Sequence, residues 1–386
     1  MHGAVIPEPR IFISAAEPSG DLHGASLIRE VRSRRPGTRF VGVAGPAMAA
    51  AGCEAICDLT THSAMLLGVL GVAGRAIKAW RRTTDEFCRH AYDAAVVIDS
   101  PMLNLPIALR AKSRAIPVLY YIAPQLWAWG AWRMHKLRAR TDRLAVVLPF
   151  EERYFRDLGI EARYVGHPLF DALDRRVVRR QFVEQIRASG DPVLAILPGS
   201  RKHVVEEVLP GQLEVAAAVR KRFSGVHVGV SVARSELAGR IRELIDRSGV
   251  AAEAYHNQNG ELLSAADLTL VASGTATLEV AHYQSPMIVM YNGSRLMYHL
   301  MGRWLVRTKH FSLINILAER ELVPEFMPYY RSTTPIARCA IELLSSPERR
   351  AQMRRETADL LSNVSAPGAS GRAADMLLEM IDRSAH

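Results

Sequence analysis

Val193-Leu-Ala-Ile-Leu197-Pro-Gly-Ser-Arg201 and Leu268-Thr-Leu-Val271-Ala-Ser-Gly-Thr-Ala-Thr-Leu-Glu279 each run from a short apolar segment through a small-residue turn into a helix-like segment. In the first, Gly199 permits a tight turn, and Ser200 and Arg201 present a hydroxyl and a planar guanidinium fork to anionic oxygens. In the second, Ser273, Gly274, Thr275, Ala276 and Thr277 crowd backbone amides and hydroxyls at a helix start, where the dipole favours negative charge. Glu279 falls about one helical turn further in, suited to accept hydrogen bonds from ribose hydroxyls. Either loop alone reads equally well as an ordinary helix cap. At two consecutive strand ends they read together as a diphosphate cradle. The spacing fits neither a Walker loop nor the Gly-x-Gly-x-x-Gly dinucleotide fingerprint, so kinase-like and NAD-dependent chemistries are disfavoured.

Outward from these loops, strand-like runs alternate with helix-length segments. They are Ile11 to Ala15, Phe40 to Val43, Ala95 to Ile98, Val118 to Ile122, Leu144 to Leu148, Val193 to Leu197, Val226 to Val232, Leu268 to Val271 and Met287 to Met290. This is the cadence of an α/β protein with parallel sheets and crossover helices. At 386 residues the chain exceeds what one core sustains, and two domains are expected. The polar stretch from Asp171 to Gly190 marks the connection, placing an N-terminal domain at 1–175, a C-terminal domain at 176–345 and a helix-rich tail at 346–386.

The composition, 49% hydrophobic and 23% charged, is that of a globular protein, and the N-terminus lacks a signal-peptide pattern, so a cytoplasmic location is expected. Four cysteines, Cys53, Cys57, Cys88 and Cys339, are too few and scattered for a disulfide framework or a zinc site, and no metal is expected. The formal charge of +10 calls for an anionic partner. Dispersed cations without a recognition motif disfavour nucleic acid, leaving a phosphorylated substrate or an anionic membrane surface.

In doubly wound sheets ligands sit outside the carboxyl ends of the strands. In the first half three such ends stand out: Glu17-Pro-Ser19-Gly20-Asp21-Leu-His23-Gly24, Asp99-Ser-Pro101-Met-Leu-Asn104, and Ala123-Pro-Gln125-Leu-Trp127-Ala-Trp129 followed by Arg133 and Lys136.

These pieces, with Gly166-His-Pro168, the two phosphate loops and Phe311-Ser-Leu-Ile-Asn315, resemble the lipid A disaccharide synthases, inverting glycosyltransferases of bacterial outer-membrane lipid assembly. The resemblance runs from about Ile11 to Val323. It implies a GT-B fold, two Rossmann-like domains facing a cleft, with a C-terminal helix returning to the N-terminal domain. It implies a UDP-linked 2,3-diacylglucosamine donor, a 2,3-diacylglucosamine 1-phosphate acceptor, a β-1,6 disaccharide product and UDP, with no cofactor and no metal. Donor contacts would come from Ser200, Arg201, Ser273, Gly274, Thr275, Ala276, Thr277, Glu279 and Asn315. Acceptor-side residues would be Glu17, Ser19, Asp21, Asn104 and Arg133. Asp99 is the first candidate for the base that takes the proton of the attacking hydroxyl, at a strand end where partial burial would raise its pKa. His23 is the rival, since an imidazole titrates near neutrality. Glu17 and Asp21 either hold their loop or bind sugar hydroxyls. Asn315 and Asn104 either touch substrate or close loops.

The run Ala64-Met-Leu-Leu-Gly-Val-Leu-Gly-Val-Ala-Gly74, followed by Arg75, Lys78, Arg81 and Arg82, is apolar nearly all round at its start. It is shorter than the roughly 20 residues a bilayer span requires. It reads as an interfacial helix, with Met65, Leu66, Leu67, Val69 and Leu70 facing acyl chains and basic flanks facing anionic lipid, a surface that the resemblance implies to be the inner face of the inner membrane. Core packing is the other reading. The basic, Met-rich segment from Arg295 to Lys309 raises the same question. A homodimer is compatible with all of this.

The chain departs from the family pattern at Met102 and Leu103, at Val204 and at Gly130, where the family commonly carries an acid, an acid and an arginine. Two rival functions use the same architecture: a UDP-sugar epimerase or hydrolase, and a catalytically weakened nucleotide-sugar or lipid-binding protein.

Overall fold

A computed structural model describes residues 8–60, 69–128, 130–293 and 309–384, apart from the side chains of residues 69–73 and 76. The chain forms two compact units, Met1–Ala172 with Val364–His386, and Leu173–Asn363. The chain passes between the units after Ala172 and again after Asn363. Within the helix-rich tail, helix Pro347–Ser362 belongs to the second unit and helix Ala369–Ser384 to the first.

Among the described residues the first unit is built on seven parallel strands: β1 Arg10–Ala15, β2 Arg39–Val43, β3 Cys53–Cys57, β4 Ala94–Ile98, β5 Val118–Tyr121, β6 Arg143–Val146 and β7 Ala162–Tyr164. Their order is β3-β2-β1-β4-β5-β6-β7. The second has β8 Val193–Leu197, β9 His227–Val232, β10 Glu253–His256, β11 Leu268–Ala272, β12 Met287–Met290 and β13 Glu325–Phe326, ordered β10-β9-β8-β11-β12-β13. Central strands such as Ala94–Ile98 and Val193–Leu197 are buried along their whole length, which is why they read as unbroken apolar runs rather than alternating ones.

Both orders are the Rossmann arrangement, with one reversal of winding, between β1 and β4 in the first unit and between β8 and β11 in the second. A crevice opens at such a switch point, outside the carboxyl ends of the strands.

Helix Ala369–Ser384 completes the first core. Ala373, Ala374, Leu377 and Met380 pack with Leu27, Ile28 and Val31 of helix Pro18–Arg34. Ion pairs of Arg34 with Asp375, Arg35 with Asp382 and Arg163 with Glu379 fix its register.

The expected membrane-facing Met65, Leu66 and Leu67 lie outside the described residues, as does most of the 295–309 segment. Val69 and Leu70 open helix Val69–Arg89. Where its side chains are described, that helix buries Ala79 and Thr83 and exposes Ile77 and Trp80 at 52% and 41% beside exposed Lys78, Arg81 and Arg82. Among the described residues no helix is long and apolar enough to cross a membrane.

Candidate functional site

In the second unit, β8 and β11 are hydrogen-bonded neighbours with Leu197 paired to Val271, so the two small-residue loops leave the sheet side by side. Gly199 has φ +105, and a Cβ there would meet Val204 Cγ1 at 2.9 Å. The valine at 204, one of the departures from the family pattern, thus packs against the turn. Arg201 caps helix Lys202–Arg222 with extended backbone. Ser200, Arg201 and Thr275 are exposed, and Ser273, Gly274 and Ala276 are half-buried. Burial pushes the Tyr291 hydroxyl upward and Glu207 adds to this, while the nearby Arg201 guanidinium opposes it.

The helix after the second loop, Ala276–His282, has only two turns. Its dipole adds little, and the hydroxyls and turn geometry of the loop are what it can offer an anion. Thr277 is buried and its hydroxyl donates to the Gly274 carbonyl at 2.9 Å. It shapes the loop, which corrects its place among the donor contacts. Asn315 receives the same correction. Its oxygen accepts from Leu322 and Val323 amides at 2.8 and 3.0 Å, and its nitrogen donates to the Val323 carbonyl and Glu325 Oε2 at 2.9 and 3.0 Å. All four hydrogen-bonding positions of the carboxamide are filled inside the protein.

Glu279, mostly buried, accepts from Arg176 Nη1 at 2.7 Å. Arg176, Val177, Arg179, Val232, Ala233, Asn257, Asn259 and Glu261 line a cavity of about 430 Å³ at the ends of β9 and β10. Sequence reading missed this cavity because its walls come from scattered positions without a motif. It also missed Gln212, buried in helix Lys202–Arg222, whose Nε2 donates to Leu270 and Leu197 carbonyls at 3.1 and 3.4 Å. Gln212 pins together the two strand ends from which the loops spring.

In the first unit, Ala15 of β1 pairs with Ile98 of β4, so the Glu17-to-Gly24 and Asp99-to-Asn104 segments flank the other switch point. Asp99 and Ser100 both take left-handed backbone, φ +48 and +43, at a cost of about 1–2 kcal/mol each for residues with a side chain. The Asp99 carbonyl accepts from Tyr120 Oη at 2.6 Å and Asn104 Nδ2 at 2.8 Å. The same Asn104 nitrogen reaches the Ile98 carbonyl at 2.7 Å, and Ser14 Oγ donates to its oxygen at 2.8 Å. Asn104 is completely buried. It holds the turn, the loop-closing role among those expected of it. Asp21 is likewise turned inward, accepting from the amides of Gly45, Ala47 and Met48 at 2.9, 2.8 and 3.1 Å. This carboxylate holds the next loop and does not reach outward, a correction on the acceptor side.

Glu17 precedes helix Pro18–Arg34 and is half-buried, and Ser19 is exposed. Gly24 lies where a Cβ would strike the side chains of Met48 and Ile98, which would have to shift to keep that helix as close. Arg133 sits on the loop beyond β5, its guanidinium 4.5 Å from the Trp132 ring centroid. Gly130 takes φ +87, a conformation an arginine would adopt only with strain. Glu151, fully buried, accepts from Trp127 Nε1 at 2.9 Å and from two backbone amides, and burial outweighs these bonds to push its carboxyl up to about 7.

His23 is neutral at working pH: burial lowers it to about 4, with Asp171 opposing. His167, of the Gly166-His-Pro168 motif, is lowered to about 3 by burial and by His23. Asp171 caps the start of the terminal helix, accepting from Gly368, Ala369 and Ser370 amides at 2.6, 3.2 and 3.1 Å. Unfolding releases both imidazoles to titrate near 6.5, so the unfolded chain binds more protons below that pH. Stability is therefore expected to be fully present above pH 6.5 and to fall as pH drops toward 4 and then 3. Glu151 works the other way between 4.5 and 7, but as one group against two. Thermal denaturation across this range should show the fall, and His23→Asn should make it shallower. A wild-type profile flat from pH 7 to 4 would refute the assignment.

Two parallel Rossmann-like units, each with polar groups gathered at its switch point, define a protein of the GT-B fold class. The fold matches solved structures across the chain. A UDP-N-acetylglucosamine 2-epimerase from Neisseria meningitidis bound to UDP-GlcNAc aligns with TM-score 0.58 at 14% identity, over 97% of this chain and 99% of that one. The calicheamicin glycosyltransferase CalG4 aligns with TM-score 0.58 at 15% identity, over 99% and 100%. At these identities the likeness establishes the fold alone. The sequence model described as lipid-A-disaccharide synthetase matches residues 11–377. Lipid-A-disaccharide synthases from Syntrophus aciditrophicus and Myxococcus xanthus are 36% and 33% identical, each over 97% of this chain and 98% of its own length. The chain belongs to the lipid-A-disaccharide synthase family and is a glycosyltransferase of lipid A disaccharide formation.

Proposed function

We propose that the chain condenses UDP-2,3-diacylglucosamine with 2,3-diacylglucosamine 1-phosphate. The second unit binds the donor and the first the acceptor. The acceptor's 6-hydroxyl oxygen attacks the anomeric carbon in line, the bond from that carbon to the diphosphate oxygen breaks, and the hydroxyl proton passes to Asp99. The products are the β-1,6 disaccharide 1-phosphate and UDP. Charge on the departing diphosphate is met by Arg201, Ser200 and the Ser273-to-Ala276 loop, without a metal. Glu279 and the cavity beside Arg176 take the ribose and base.

The observation that carries this reading is the adjacency of the two loops on β8 and β11 in a chain whose family makes this disaccharide. Asp99 is preferred to His23 because it stands at the carboxyl end of β4, at the switch point, on a turn held by Tyr120 and Asn104. The test incubates purified protein with both lipids in detergent and chelator and follows products by mass spectrometry. Disaccharide phosphate with stoichiometric UDP supports the transfer. UDP without disaccharide would replace it with hydrolysis or another acceptor.

Exposed Ile77 and Trp80 among lysine and arginine support a peripheral membrane position, expected on the inner face of the inner membrane. Ile77→Ser with Trp80→Ser is expected to weaken cosedimentation with phosphatidylglycerol-containing vesicles about tenfold or more. Unchanged cosedimentation would place the contact elsewhere.

A further inference from the structure

We propose that Tyr120, acting with Asn104 and Ser14, is a positioning residue for the transfer: it fixes the left-handed Asp99-Ser100 turn so that the Asp99 carboxylate is held in one direction at the switch point. The proposal rests on the assignment of Asp99 as the base.

The supporting geometry spans three neighbouring strands. Tyr120 near the end of β5 and Asn104 in helix Pro101–Lys112 both donate to the Asp99 carbonyl, filling its two lone pairs. Ser14 of β1 donates to the Asn104 oxygen and so decides which end of that carboxamide faces the turn. All three side chains are fully buried. Burial, with the Asp99 carboxylate adding, pushes the Tyr120 hydroxyl well above the ordinary phenol range, so it stays a donor. Two successive side-chain-bearing residues at positive φ persist only where their surroundings over-determine them, and such strain gathers where a side chain must be aimed. A core that needed only packing would be served equally by phenylalanine at 120 and an unstrained turn at 99–100.

Tyr120→Phe keeps the ring and removes the bond. The expected result is a fall in kcat of about 10- to 100-fold, the range a misplaced reacting group gives. KM for the UDP-sugar should stay within about twofold and the melting temperature close to that of the parent. In an Asp99→Asn background the same change should cost nothing further, because the group being aimed is gone. Ser14→Ala, which removes only the bond orienting Asn104, should give the same kcat-selective pattern more weakly, and it serves if Tyr120→Phe does not fold. An unchanged kcat in Tyr120→Phe, or an equal loss with and without Asp99, overturns the proposal while leaving the base assignment standing. Near-parental activity in Asp99→Asn removes the base assignment and the proposal with it.

Discussion

Asp99→Asn is expected to lower kcat by about 10²- to 10⁴-fold, the range that general-base assistance supplies, while KM for the UDP-sugar changes little. In the proposed transfer the attacking group is an unactivated primary alcohol, a poor nucleophile until its proton has somewhere to go. Asp99 stands half-buried at the carboxyl end of β4, on the first unit's switch point, on a backbone turn tied down by Tyr120 and Asn104. Asparagine keeps the size of the side chain and its tolerance of left-handed backbone, so loss of activity without loss of fold would report on the proton. Steady-state kinetics on Asp99→Asn and His23→Asn, with melting temperatures for both, decide the matter. Near-parental kcat in the aspartate variant beside a collapse in the histidine variant would reverse the two roles.

The second large effect is expected at Arg201. Arg201→Ala should reduce kcat/KM by about 10²- to 10³-fold, the cost of deleting one preorganised partner of developing negative charge, and should weaken UDP binding in calorimetry. Arg201→Lys should recover only part of the loss, since an ammonium restores charge but not the planar fork that meets two phosphate oxygens at once. The side chain is exposed at the head of helix Lys202–Arg222, so its removal leaves the core intact. Full activity in Arg201→Ala would move the diphosphate off this loop.

The centres of both sheets were legible in the sequence, and their margins were not. Val193–Leu197 and Met287–Met290 are apolar from end to end because both faces are covered, and each was read to the residue. The four strands that escaped, β3, β7, β10 and β13, are the outer strands of the two sheets. Their sequences, Cys-Glu-Ala-Ile-Cys, Ala-Arg-Tyr, Glu-Ala-Tyr-His and Glu-Phe, are short and partly polar because one flank has no neighbouring strand. The site divides similarly. Loops with backbone-driven chemistry announced themselves through glycine, serine and threonine. Asp21, Asn104, Thr277 and Asn315 have the residue types of ligand contacts, but their hydrogen bonds are spent on the protein. Only burial and partner geometry separate the two uses. Gln212 gave no signal, since its role depends on two carbonyls distant from it in sequence.

The first unit is assembled from both ends of the chain, with residues from Val364 onward closing a core begun by β1. On the ribosome, that unit must wait exposed while the whole of Leu173–Asn363 is made, roughly 10–40 s at about 5–20 residues per second. The later-made unit can close first. The surface of helix Pro18–Arg34 that receives helix Ala369–Ser384 stays uncovered until that helix has been made. A stop codon placed before Ala369 would therefore leave the Leu173–Asn363 unit complete and the first unit without its closing helix, although most of that unit was synthesised first.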